Sequence, residues 1–185
     1  VTSAQNIIKS VNRAGLDVVD IILQPLASSE AVLSAEEREL GVAMVDLGGG
    51  TTDLAIFLDG SIRHTAVLPI GGQNLTKDLA IGLLTSQTDA EKIKVQHGIA
   101  RTELVHGHQM VEVPSVGDRP PRQFTRRDIA EILEPRVEEM FDLVKREIVR
   151  AGYEGMLGAG VVITGGTSLL EGMPDAAERG LNLPA

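Results

Sequence analysis

The residues best suited to chemistry are glycines set beside an acid. Asp46-Leu47-Gly48-Gly49-Gly50-Thr51-Thr52-Asp53 closes an apolar run at 42–47. Three consecutive glycines let backbone come close to a polyanion with its N–H groups converging and no side chain in the way. Thr51 adds a hydroxyl donor. Asp46, at the strand's end, is placed to hold a hydrated Mg²⁺ or to orient water toward a terminal phosphate. The blander alternative is a tight glycine turn with Asp46 capping it, and the Thr-Thr-Asp that follows weighs against it. A second cluster, Val161-Val162-Ile163-Thr164-Gly165-Gly166-Thr167-Ser168, repeats the plan of strand, glycine pair and hydroxyl-rich turn. Alone it reads as an ordinary strand-to-helix turn. Paired with the first, it predicts two backbone ledges, one for phosphates and one for a nucleoside, with Gly71-Gly72 as a third.

Other chemistries find no support. No G-x-x-x-x-G-K-[ST] occurs, and no G-x-G-x-x-G follows a strand. His64, His97, His106 and His108 make no H-E-x-x-H, and His106-Gly107-His108 reads as an exposed loop before it reads as a metal site. Ser28, Ser29 and Ser168 lack a G-x-S-x-G setting. The absence of cysteine excludes disulfides, thiol catalysis and Cys-based zinc sites. Seventeen Lys+Arg against 26 Asp+Glu, net −9, argue against a broad nucleic-acid surface. One Tyr, three Phe and no Trp leave few platforms for stacking bases. No apolar run nears the ~20 residues of a membrane span, and nothing at the start reads as a signal peptide. A reducing, cytoplasmic setting is expected.

The elements that must position these glycines are legible in outline. The 185 residues, 43% of them apolar, fit one domain with an inserted lobe. Apolar spacing predicts a helix over 3–14, a buried strand at 18–23 (VVDIIL), a short helix at 26–33 and a charged loop at 36–39. Strands follow at 42–47 and 54–58, and Asp59-Gly60 predicts a hairpin turn into an antiparallel strand at 62–68. Helices are expected at 74–84 and 90–97, a strand at 109–113 and an irregular loop at 114–121. Thr125 should cap a helix beginning at Arg126, which Pro135 kinks or restarts, and a buried strand is expected at 160–164. Residues 1–69 and 133–185 then form a strand-rich frame, and 70–132 a mainly helical insertion. The stop at Ala185, where another element is expected, reads as a piece of a longer chain.

Together the motifs resemble those of the actin/DnaK-type chaperone/sugar-kinase ATPase superfamily, DLGGGTTD its second phosphate motif and GVVITGGTSLLEGM its adenosine motif. Within it, Gln24-Pro25-Leu26-Ala27-Ser28-Ser29, His64-Thr65 ahead of Pro69, Ala90-Glu91-Lys92-Ile93-Lys94, Val113-Pro114-Ser115-Val116-Gly117 and Glu134-Pro135-Arg136 resemble the bacterial cell-division family FtsA. The resemblance covers essentially the whole chain. It implies a ribonuclease-H-like, actin-like α/β fold: a mixed sheet flanked by helices (subdomain 2A, 1–69 and 133–185) with an inserted mainly helical lobe (subdomain 2B, 70–132). The rivals are another actin-superfamily ATPase, such as a rod-shape or pilus-assembly homologue or a chaperone half, and a sugar-kinase-like phosphotransferase half. The loop EVPSVGDRPPR (112–122) and Glu134-Pro135-Arg136 favour FtsA over both.

Residue by residue, the resemblance implies ATP and Mg²⁺ as ligands. Asp46 would support Mg²⁺ through water and the catalytic water. Gly48, Gly49, Gly50 and Thr51 would face the β- and γ-phosphates, with Gly71 and Gly72 nearby. Gly165, Gly166 and Thr167 would line the adenosine, and Glu91 and Lys94 would reach ribose and adenine unless they are merely a surface ion pair. Gln24 stands where DnaK-type chaperones carry a catalytic Glu; an amide orients water but cannot take its proton, so slow or negligible hydrolysis is expected. The inserted lobe would receive the short, apolar, partly acidic C-terminal tail of the tubulin-like protein FtsZ. Arg136 is the leading cation for it, with Glu139 one turn on and Arg126 and Arg127 assisting. The resemblance further implies self-association into actin-like filaments and contacts with other divisome proteins. It places the protein in the cytoplasm on the inner face of the membrane at the septum, held by a C-terminal helix outside these residues.

Overall fold

The computed structural model describes residues 2–117 and 119–185. Helix α1 (Thr2–Arg13) leads through an extended segment into α2 (Gln24–Val32), with Pro25 in its first turn, and α3 (Ala35–Leu40). Strand β1 (Val42–Leu47) is the centre of the sheet. On one side it pairs antiparallel with β2 (Thr52–Leu58), which pairs antiparallel with the edge strand β3 (Ser61–Leu68). Asp59 (φ 51°) and Gly60 (φ 70°) both take positive φ, the geometry of a two-residue hairpin turn whose twist matches its strands. Helices α4 (Gly72–Gly82) and α5 (Gln87–His97) follow. Next come a small antiparallel ribbon, β4 (Met110–Val113) with β5 (Arg122–Thr125), and the long helix α6 (Arg126–Arg150). Strand β6 (Val161–Thr164) then lies parallel to β1 and completes a mixed sheet of order β3-β2-β1-β6, before α7 (Met173–Leu181).

Strands β1 and β2 are buried on both faces, as their apolar runs require, while the edge strand β3 leaves alternate residues exposed. Val45, Leu47, Leu54 and Ile56 meet α4 and α6 through Leu75, Leu79, Leu133, Val137, Met140 and Phe141. The opposite face sets Val42, Met44, Ala55 and Phe57 against Leu26, Val32 and Leu33 around α2. Each large apolar side chain so buried contributes about 1.5–3 kcal/mol. Residues 70–132 supply α4, α5, β4, β5 and the start of α6, and their apolar side chains join the same core as the sheet.

Four sequence expectations are corrected. Residues 18–23 form no strand; they run outside helix and sheet with Val19 98% exposed and Ile22 66% exposed. An apolar run becomes a strand only beside a free edge, and this segment pairs with none of the strands. Residues 36–39 are not a loop but part of α3. Ser34 accepts from the Glu37 amide (3.2 Å) while the Glu37 carboxylate accepts from the Ser34 amide (2.7 Å), a reciprocal cap that starts the helix. Helix α6 runs through Pro135 as one element and does not restart there. Pro135 and Glu131, whose carbonyl loses its partner, are both exposed, so the lost hydrogen bond falls on the solvent side while the buried side holds the helix. Strand β5 was not expected at all. The irregular loop at 114–121 is observed, although Asp118 lies outside the described residues.

Candidate functional site

Register does the positioning. In β1, Asp46 lies between Asp53 of β2 and Thr164 of β6, so strand pairing alone brings the acid to the mouth of both glycine turns. The first turn is closed by the Gly48 amide donating to the Thr51 carbonyl at 3.0 Å. The amides of Gly72 and Gln73 donate to the carbonyls of Gly48 (2.9 Å) and Gly49 (2.8 Å), so the Gly71-Gly72 turn lies directly on the first. A side chain at Gly71 would place its Cβ 2.7 Å from the Gly49 oxygen and 2.8 Å from that of Gly48, a contact only glycine permits. Gly165, at φ 86°, abuts Asp46 in the same way; a Cβ there would strike the Asp46 carboxylate and stand 2.7 Å from the Leu47 oxygen. Thr167 donates its hydroxyl to the Gly48 carbonyl at 3.0 Å. Three clusters, the first and last more than a hundred residues apart, thus share one backbone junction.

Around Asp46 the donor set is small. The Gln24 amide nitrogen donates to its carboxylate at 3.1 Å, which fixes one oxygen and leaves the amide oxygen as an acceptor. Thr51 turns its hydroxyl to Asp53 at 3.0 Å. Gly49, Gly50 and Thr51 are exposed. Among the described residues no group of three or more His, Asp or Glu side chains is suited to hold a metal. One carboxylate beside an exposed glycine turn fits Mg²⁺, which keeps most of its waters and binds through one or two carboxylates plus phosphate oxygens.

From this junction a cleft of ≈ 700 Å³ runs outward between α5 and the turn after β6. Gly49, Gly72 and Gln73 line one end; Glu91, Lys94 and Val95 form one wall, and Gly166, Thr167 and Leu169 the other. The Lys94 ammonium donates to the Gly72 carbonyl (3.1 Å), the Thr76 hydroxyl (2.9 Å) and Glu91 (2.8 Å), which uses its three protons. Partial burial pushes the Glu91 carboxyl up, but hydrogen bonds from Lys94 and Thr76 outweigh it and hold the group below its ordinary range. Glu91 and Lys94 are therefore an i,i+3 pair whose lysine also reaches the glycine turn. Thr76 and Gln73 were missed by sequence reasoning. Both sit in α4, at positions flanking the apolar Leu75–Leu79 face, and the Gly-Gly before them was the available signal.

The four residues expected to meet a partner tail do not share one surface. Arg136 is clamped by Asp78 of α4, with Nε donating to Oδ2 at 2.7 Å and Nη2 to Oδ1 at 3.2 Å, and it also pairs with Glu139. Hydrogen bonding to Asp78 raises its pKa further, against a smaller opposing effect of burial. Arg127 pairs with Glu131 in solvent (3.2 Å). Arg126 lies at the far rim of the cleft, with Nε donating to the His97 carbonyl at 3.1 Å. Among the described residues no helix is long and apolar enough to cross a membrane.

A family model described as cell division protein FtsA matches residues 43–185. The FtsA of Pseudomonas aeruginosa is 51% identical over 184 residues, covering 100% of this chain and 44% of that protein. The chain belongs to the FtsA family. The Escherichia coli FtsA is 46% identical over 183 residues, covering 95% of the chain and again 44% of the relative. The chain therefore spans less than half the length of these FtsA relatives. The fold is actin-like: MreB5 of Spiroplasma citri, solved with ADP, superposes with a TM-score of 0.80 over 97% of this chain and 58% of that one, at 21% identity. FtsA membership thus rests on sequence, and the actin-like architecture on structure as well.

Proposed function

We propose that this chain supplies half of an ATP site and the partner-binding lobe of an FtsA-type division protein. The observation that carries the reading is the convergence of three glycine turns at one backbone junction beside Asp46, from which a cleft of ≈ 700 Å³ opens at Gly49 and Gly72. Gly48, Gly49, Gly50 and Thr51 meet the β- and γ-phosphates. Gly71 and Gly72 brace that turn from behind, since the Gly72 amide is already given to Gly48. Gly165, Gly166 and Thr167 back the adenosine, and Glu91 and Lys94 line the ribose and adenine side. When bound, Mg²⁺ would neutralise phosphate charge beside Asp46. Gln24 holds the Asp46 carboxylate and orients water without deprotonating it, so turnover is slow and ATP acts chiefly as a structural ligand. A solved structural neighbour that holds ADP supports the ligand class.

In this reading residues 70–132 are the inserted lobe and receive the C-terminal tail of FtsZ near Arg136 and Glu139. The whole protein would tether FtsZ filaments to the membrane from the cytoplasmic side at the septum, associate with itself and with other divisome proteins, and attach through a helix outside this chain. Titrating a fluorescent ATP analogue tests the site. Full-length protein carrying this chain should bind saturably, the chain alone at least a hundredfold more weakly because a few kcal/mol of contacts are missing, and Lys94→Ala more weakly than wild type. Equal micromolar binding by the chain alone would remove the half-site reading, and no binding by either would remove the nucleotide.

A further inference from the structure

The end of the cleft away from the glycine junction is shut by a charge pair that the nucleotide reading leaves unused. Arg126, the first residue of α6, gives Nε to the carbonyl of His97 at the end of α5 (3.1 Å) and pairs through Nη2 with the carboxylate of Glu171. Glu171 follows the 3-10 turn Gly166–Leu169, the wall opposite α5. Its backbone is fixed to the chain leaving α5: the Ala100 amide donates to the Glu171 carbonyl at 2.8 Å, and Ile99 bridges to Glu171 in parallel. The backbone bridge and the side-chain pair thus both tie the chain around α5 to the wall opposite it. Inside that rim Val95 (73% exposed) and Leu169 (86% exposed) stand on opposite walls as apolar surfaces with nothing buried between them.

Resting on the nucleotide reading above, we propose that Arg126 and Glu171 form a latch that holds the two walls together at the base end of the cleft and sets how long a nucleotide stays. They are positioning residues. A flat base seated between Val95 and Leu169 leaves when the walls part, and the pair opposes that parting. Arg126 is thereby assigned to the cleft and not to a partner-tail surface. The Arg126 side chain is 20% exposed and that of Glu171 58%, so the pair is partly screened and its effect is modest. The range measured for exposed pairs corresponds to about a two- to fivefold change in rate.

Stopped-flow displacement of a fluorescent ATP analogue from full-length protein carrying this chain reads the effect. Arg126→Gln and Glu171→Gln should each speed dissociation about two- to fivefold with little change in association, and the double variant should go no further than either single. Raising salt should speed release from the wild type and not from the variants. Conservative Arg126→Lys should retain part of the slow release. Unchanged dissociation in both Gln variants overturns the latch, as does a lowered Tm with unchanged release, which is what a purely structural pair would give. If the wild type itself binds no nucleotide, the site reading fails first and this inference with it.

Discussion

At the scale of single residues, the account turns on how few groups stand free. Asp46 is tied to Gln24, Lys94 is saturated by Gly72, Thr76 and Glu91, and Arg136 is held by Asp78 and Glu139. Such pairing fixes geometry before a ligand arrives. It also makes the roles separable by substitution. Gln24→Glu would set a second carboxylate where the amide now lies 3.1 Å from Asp46. Neighbouring like charges raise one pKa of such a pair, which suits a general base. ATP hydrolysis by full-length protein carrying Gln24→Glu should rise at least about tenfold; an unchanged rate would show that the missing base is not what limits turnover. Arg136 yields a sharper test, because two carboxylates already claim it. Asp78→Asn should strengthen binding of an FtsZ-tail peptide by freeing the guanidinium, and Arg136→Glu should weaken it about tenfold or more. Anisotropy titrations unmoved by both changes would take the tail away from this guanidinium.

At the scale of elements, the glycine turns and the strands feeding them were legible in the sequence because their signals are local. The apolar runs at 42–47 and 160–164 and the Asp59-Gly60 turn each specify themselves, although β6 is buried only at Val161. What failed depended on the surroundings. Residues 18–23 have the composition of a strand but pair with neither edge of the sheet, and β5 (Arg122-Gln123-Phe124-Thr125) has little strand character of its own and exists through pairing with β4. Helix α3 was a different kind of miss, since Ser34 and Glu37 displayed their cap in the sequence. Pro135 misled because a helix packed this firmly tolerates one lost hydrogen bond on its wet side. Helix α6 is also fastened to the sheet's edge: Glu147 meets His64 of β3 at 2.8 Å and accepts from Arg150 at 2.6 and 2.8 Å. Hydrogen bonding from Arg150 first, and from His64, outweighs burial and lowers the Glu147 pKa from 4.5 to about 2. A depressed carboxyl pKa stabilises the fold above its unfolded value, and that stability is lost as pH falls from about 4.5 toward 2. Glu147→Gln should cost about 1–2 kcal/mol at neutral pH and flatten the acid limb over that window, as denaturant melts would show. An acid limb identical to wild type would mean that other carboxylates govern it.

At the scale of the molecule, the cleft is a product of long-range assembly. Gly48, Gly71, Gly165 and Thr167 meet although nothing local links them, and the sequence revealed each cluster without revealing that one braces another. The shared core explains how residues 70–132 bring their wall of the cleft up to the sheet. The central claim is that this surface receives phosphate and adenosine. Amide ¹H–¹⁵N spectra of the chain, titrated with Mg·ATP at millimolar concentration, test it most directly. Saturating shifts are expected at Gly49, Gly50, Thr51 and Gly166, with smaller ones along α5 at Lys94 and Val95. A well-dispersed spectrum in which those amides stay still, or in which the shifts gather elsewhere, would contradict it.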